Sequence, residues 1–233
     1  MRTTTRSLRL AALIAAAVAA ALLTGCSSAP VQRPVAGVDT PVAAPAPEHQ
    51  ILAVAIGDSI AFGKGVLPDE AWPARVAADH HWKLTDLAVS GSGFVKPGWN
   101  GTTYQQQVDR ALTLKPDCIL IAATRNDRDQ NPALVKQKSS EMLDTLREAF
   151  PKARIIGITA VWGSDEPPAT MERVNEIVRA SVTAVDGTFL DIGFPLVGHT
   201  AWLQADQIHP NASGQEVVAK TIEEKLAPLN LAL

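Results

Sequence analysis

Cysteine is scarce in this chain: 233 residues contain two, Cys26 and Cys118. They stand far apart and in no paired spacing, which excludes a disulfide-built scaffold and a thiolate metal centre. Histidine is nearly as scarce, with five, so chemistry that needs an imidazole has few places to sit. Long apolar runs are missing too. Leu10 to Leu23 is an unbroken apolar stretch of 14 residues, short of the roughly 20 that cross a bilayer. Basic clusters are also missing. Lys and Arg number 21 against 24 acids, for a formal charge of −3, and no segment concentrates them. That balance argues against nucleic acid as a partner and against adhesion to anionic lipid by charge.

What the chain does have begins with order at its N-terminus. Met1 to Arg9 carries Arg2, Arg6 and Arg9 and no acid, the apolar run follows, and small residues come next. This is the order of a secretory signal. The junction Leu23-Thr24-Gly25-Cys26 resembles the lipobox of bacterial lipoproteins. The resemblance implies that residues 1–25 are removed, that Cys26 carries lipid, and that the protein is tied to a membrane on the outer side of a bacterial cell. A plain secretory signal with an incidental Cys26, and a retained transmembrane anchor, are the rival readings. Cys118 then has no partner, and within "CILIAA" it reads as a small buried hydrophobe.

Residues 26–48 are expected to be a tether. Ser27 to Glu48 has five prolines, five alanines and no aromatic residue. Such a segment cannot build a core, and stretched out it reaches about 70 Å at most. The domain proper is expected at 49–233, long enough for one sizeable core. Loss of residues 1–25 removes three arginines and no acid, which takes the formal charge from −3 to −6.

Within the domain, apolar runs alternate with helical patterns. Strands are expected at Ile51–Ile56, Leu84–Val89, Cys118–Ala123, Arg154–Val161 and Thr188–Ile192. Helices are expected at Glu70–Asp79, Tyr104–Leu112, Leu134–Phe150, Met171–Val185 and a C-terminal stretch carrying Val217, Val218, Ile222 and Leu226. Either a Ser213–Glu216 capping box or Asn211 would start the last one. The alternation predicts a three-layer α/β/α sandwich around a five-stranded parallel sheet, flavodoxin-like in class. In such sheets functional groups collect at the carboxyl ends of the strands. The loops after the five runs therefore open onto one edge.

Four short signals fall in those loops: Gly57-Asp58-Ser59, Ser90-Gly91-Ser92-Gly93, Thr124-Arg125-Asn126-Asp127, and Asp206-Gln207-Ile208-His209. A serine hydroxyl needs a base within hydrogen-bond reach to act as a nucleophile. Among the histidines, His49 lies by the tether and His80-His81 reads as a polar helix end rather than a metal site. His199 is a possible rival. His209 has the better setting, because Pro210 restricts its backbone and a carboxylate three residues earlier can fold back onto its ring.

In this order the blocks "GDSI", "AVSGSG", "TRND" and "DQIH" resemble those of the SGNH hydrolases, also called the GDSL esterase/lipase family. The resemblance spans the domain from Gly57 to His209. It implies Ser59 as nucleophile, His209 as base and Asp206 as its orienting acid. It also implies an oxyanion hole from Ser59, Gly91 and Asn126, and neither metal nor organic cofactor. Asp58 and Asp127 read as structural. Two departures stand out. Thr124 replaces the glycine that usually opens the third block, so a branched side chain is expected to narrow the pocket or shift Asn126. Asp86 stands where an asparagine often does.

The expected activity is hydrolysis of acyl esters, short-chain or O-acyl groups on envelope glycans or lipids. An acyltransferase with the same three residues, and a non-catalytic binding lipoprotein on the same fold, are the alternatives. Trp99, Trp162 and Trp202 fall in strand-end loops, where each either lines the mouth or packs inside.

Overall fold

The computed structural model describes residues 49–229. The expected signal segment 1–25, Cys26 and the tether 26–48 lie outside the described residues. The sheet has five strands in the order β2-β1-β3-β4-β5: β1 (Leu52–Ile56), β2 (Lys83–Asp86), β3 (Cys118–Ala122), β4 (Arg154–Ile158) and β5 (Thr188–Leu190). All four pairings are parallel, with Ala53 opposite Leu84 on one side and Cys118 on the other. The expected α/β class and strand count hold.

Five α-helices cover the sheet: α1 (Trp72–Asp79), α2 (Tyr104–Ala111), α3 (Pro132–Ala149), α4 (Ala169–Ala184) and α5 (Ala212–Leu226). The period-two alternation of a strand sorts β1 between two cores. Ala53 and Ala55 pack with Trp72 and Val76 of α1 and with Val218 and Ile222 of α5. Val54 and Ile56 pack instead with Tyr104 and Val108 of α2, Met142 and Leu146 of α3, and Val178 of α4. Continuous apolar runs were needed because both faces are covered.

Several boundaries differ from the sequence reading. β2 ends at Asp86, not Val89, and is the polar stretch "KLTD" at the sheet's edge. Leu87 and Ala88 are buried past the strand's end, where the Leu87 and Val89 N–H groups still donate to the Ala55 and Gly57 carbonyls at 2.9 and 3.1 Å. Val161 and Ile192 mislead in the same way, so β4 and β5 stop early. Asn211, not Ser213, starts α5, its side-chain oxygen accepting the Gly214 N–H at 3.1 Å.

The sheet grows outward from β1, first to β2 and then, on the other side, to β3. The direction in which strands are added thus reverses at β1, and a crevice opens beyond the carboxyl ends of β1 and β3. Gly57-Asp58-Ser59 and Thr124-Arg125-Asn126 both leave the sheet there.

Candidate active site

The segment after β1 is fixed by a buried brace. The side-chain amide of Gln107, on α2, accepts the Gly57 N–H and donates to the Gly57 carbonyl, both at 2.9 Å. It also donates to the Ser92 hydroxyl at 2.9 Å. Asp58 turns inward. One of its oxygens accepts the Ile60 N–H at 2.8 Å, and the other accepts the Thr124 hydroxyl at 2.6 Å. Burial pushes its carboxyl above the ordinary range in spite of these bonds. With Asp58 pinned inside, Ser59 faces the crevice.

Ser59 Oγ lies 2.9 Å from His209 Nε2, and His209 Nδ1 lies 2.6 Å from Asp206 Oδ2. The other Asp206 oxygen accepts the N–H groups of Ile208 and His209, each at 3.0 Å. Those bonds, the His209 N–H first and its ring next, hold the Asp206 carboxyl well below the usual range. Gln207 makes the fold-back possible by adopting φ +56°. Gln204 then ties the turn down. Its N–H donates to the His209 carbonyl at 2.8 Å, and its amide donates to the carbonyls of Lys64 and Pro210 at 2.6 and 2.9 Å. Ser59 and His209 keep 9 % and 7 % of their surface exposed, enough for a substrate atom to reach them and little enough to strengthen their bond.

The opposite wall comes from the loop after β2 and the turn after β3. Gly91 sits at φ +79°, a region glycine enters without strain. Asn126 donates its side-chain amide to the Ser92 carbonyl at 2.9 Å, and its N–H goes to the Thr124 hydroxyl at 3.1 Å. Among the described residues, no protein acceptor lies on the N–H of Ser59 or of Gly91. Asp127 anchors the loop by accepting the N–H groups of Phe94, Val95 and Lys96 at 2.6, 3.3 and 2.9 Å. Gly91 and Asn126 line a cleft of about 920 Å³ that continues along the edge of the sheet.

The fold therefore brings Ser59, His209 and Asp206 into one hydrogen-bonded chain, and places Gly91 and Asn126 together on one cleft wall. Chemically, the imidazole can take the Ser59 proton, and the carboxylate can hold the resulting imidazolium. Thr124 corrects an expectation. It is fully buried, and its hydroxyl links Asp58 to the Asn126 N–H, so it neither narrows the cleft nor leaves Asn126 adrift. Trp162 is buried, under the guanidinium of Arg125 at 4.2 Å and that of Arg128 at 5.9 Å. It does not line the cleft, whereas Trp99, 73 % exposed, does. Trp202 stacks on His199 at 3.8 Å, which occupies the rival histidine. Gln107 and Gln204 escaped the sequence reading, since no local pattern marks a glutamine that braces a distant loop. Among the described residues, no group of three or more His, Cys, Asp or Glu side chains could hold a metal ion.

The sequence family described as GDSL-like lipase/acylhydrolase matches residues 55–217, from within β1 to α5. The chain belongs to that family. A curated relative, GDSL lipase Rv0518 of Mycobacterium tuberculosis, is 28 % identical over 191 residues, covering 75 % of this chain and 79 % of its own. Among solved structures, the esterase EstA from Pseudoalteromonas sp. superposes with a TM-score of 0.62 at 14 % identity, over 77 % of this chain and 98 % of that one. Salicylyl-acyltransferase SsfX3, from a tetracycline biosynthetic pathway, superposes at 0.63 and 22 % identity, over 80 % and 57 %. At those identities the structural likeness is one of fold. The family match makes this chain an SGNH-type hydrolase.

Proposed function

We propose that the protein is an extracytoplasmic carboxylic ester hydrolase working through an acyl-enzyme on Ser59. The observation that carries this reading is the chain of two short contacts, 2.9 Å from Ser59 to His209 and 2.6 Å from His209 to Asp206. Ser59 Oγ attacks the ester carbonyl while His209 Nε2 takes its proton. Negative charge gathers on the former carbonyl oxygen, facing the N–H groups of Ser59 and Gly91 and the Asn126 amide. His209 next gives its proton to the leaving alcohol as the C–O bond breaks. A water then enters, loses a proton to His209 and attacks the acyl carbon. Collapse of that second intermediate frees the acid and returns the proton to Ser59. Asp206 stays ionised throughout and stabilises the imidazolium.

The lipobox-like Cys26 supports placement at the cell envelope through a lipid anchor. O-acyl groups on envelope glycans or lipids are the substrates such a position supplies. A chain-length series of p-nitrophenyl esters tests the activity, with Ser59→Ala and His209→Ala alongside. We expect turnover by the wild type and losses on the order of 10³-fold or more in each variant. Comparable turnover in wild type and Ser59→Ala would overturn the assignment.

A further inference from the structure

Resting on that reading, we infer that the cleft beside Gly91 and Asn126 receives the acyl half of the ester, and that its cations select an acyl group carrying negative charge of its own. The first half of the inference follows from proton transfer. His209 Nε2 must reach the leaving oxygen to protonate it, so the alcohol lies on the His209 side. Neither Ser59, Asp206 nor His209 lines the cleft; Gly91 and Asn126 do. What passes beyond the oxyanion donors, away from the base, is the acyl group.

The second half follows from what else lines the cleft. Its apolar wall is Phe62, Ala88, Val89, Pro97 and Trp99, with Phe62 and Trp99 both largely exposed. Aromatic and aliphatic walls suit the methylenes of an acyl chain. Lys64, Lys96 and Arg110 line the same cleft, against one acid, Asp86. None of these three cations has an ion-pair partner among the described residues. They come from three separate stretches of sequence, and they gather in a chain whose acids outnumber its cations by 24 to 21. A site built for an uncharged fatty chain has no use for that concentration. A carboxylate or phosphate at the far end of the acyl group meets it.

The test uses the full-length protein and two soluble esters of matched length: the p-nitrophenyl monoester of adipic acid, with a free carboxylate, and its methyl-capped neutral counterpart. The readout is the ratio of their kcat/KM values. Exposed ion pairs each contribute up to about fivefold, so the charged ester should win by on the order of tenfold at low salt. The ratio should fall toward one in about 1 M NaCl, where the Debye length shrinks to about 3 Å. It should also fall in the combined Lys64→Ala, Lys96→Ala and Arg110→Ala variant. A ratio at or below one in wild type at low salt overturns the inference while leaving the hydrolase reading intact; no turnover of either ester sinks that reading instead. If anionic vesicles accelerate a neutral long-chain ester, if the triple variant abolishes this, and if the soluble ratio stays near one, the cations meet a lipid surface and the acyl assignment is wrong.

Discussion

Asp206 is held ionised by two backbone N–H groups and an imidazole, and that sets what its replacement must do. An asparagine keeps one oxygen for the N–H groups but turns an amide toward His209 Nδ1. The ring then has to carry its proton on Nε2 and points a donor, not an acceptor, at Ser59. Asp206→Asn should lower kcat/KM by about 10³–10⁴-fold while the fold survives, checked by ester kinetics together with the thermal midpoint. Because the Asp206 carboxyl is lowered, the stability it contributes is present above the ordinary carboxylate pKa and fades only as pH falls toward its depressed folded value. Asp86 runs the opposite way. Asp86 keeps an exposed face on the cleft, yet desolvation of its carboxyl raises it to about 6, offset in part by the Ala88 N–H. An acid raised on folding binds more protons folded than unfolded, so stability falls as pH rises from about 4 to 6 and stays lowered above. Asp86→Asn keeps an oxygen for Ala88 and removes the charge. It should raise the urea midpoint at pH 8 and leave it nearly unchanged at pH 4. A rise of equal size at both values would show that charge is not the cause.

Among the elements, the loop from Ser90 to Thr103 carries a close backbone approach right beside Gly91. A methyl added at Gly98 would lie 2.3 Å from the Ser92 nitrogen and 2.5 Å from the Ser90 carbonyl oxygen. Both atoms are backbone and flank Gly91, so the Gly91 N–H has to move. Gly101 shares the loop, at φ +72°, yet a methyl there meets nothing within 4 Å. Gly98→Ala should therefore lower kcat by on the order of 10²-fold, the cost of one misplaced oxyanion donor. Gly101→Ala should cost only about 1–2 kcal/mol of stability through its positive φ. Parallel kinetics and denaturation of the two variants check this, and equal kcat values would remove Gly91 from the oxyanion hole. The loop also shows what was legible beforehand. Its SGSG motif could be read because close approach to backbone demands small residues. The brace from Gln107 could not, because α2 meets β1 only in three dimensions. Strand cores were legible as apolar runs. Their ends were not, since Leu87, Val161 and Ile192 lie past the ends of their strands and are buried all the same. Thr124 looked like an intrusion into the pocket until Asp58 supplied an inward partner for its hydroxyl.

On the scale of the whole molecule, the two ends of β1 divide the labour. The chain enters the domain at His49, beside Asp117 at the amino ends of the strands, and Ser59 follows the carboxyl end. One strand of five residues separates them, roughly 17 Å. The crevice thus opens at the end of β1 opposite His49, so under the proposed lipid anchor its contents would not depend on attachment. Attachment and chemistry should separate cleanly by mutation. In the wild type, lipid on Cys26 should place the protein in the membrane fraction, released by detergent and not by salt, since the anchor is apolar and the domain's net charge is negative. Cys26→Ala should move it to the soluble fraction with kcat/KM on a soluble ester unchanged. Salt extraction of the wild type would point to adhesion by charge. A wild type already soluble would mean that residues 1–25 direct export alone, with Cys26 incidental to it.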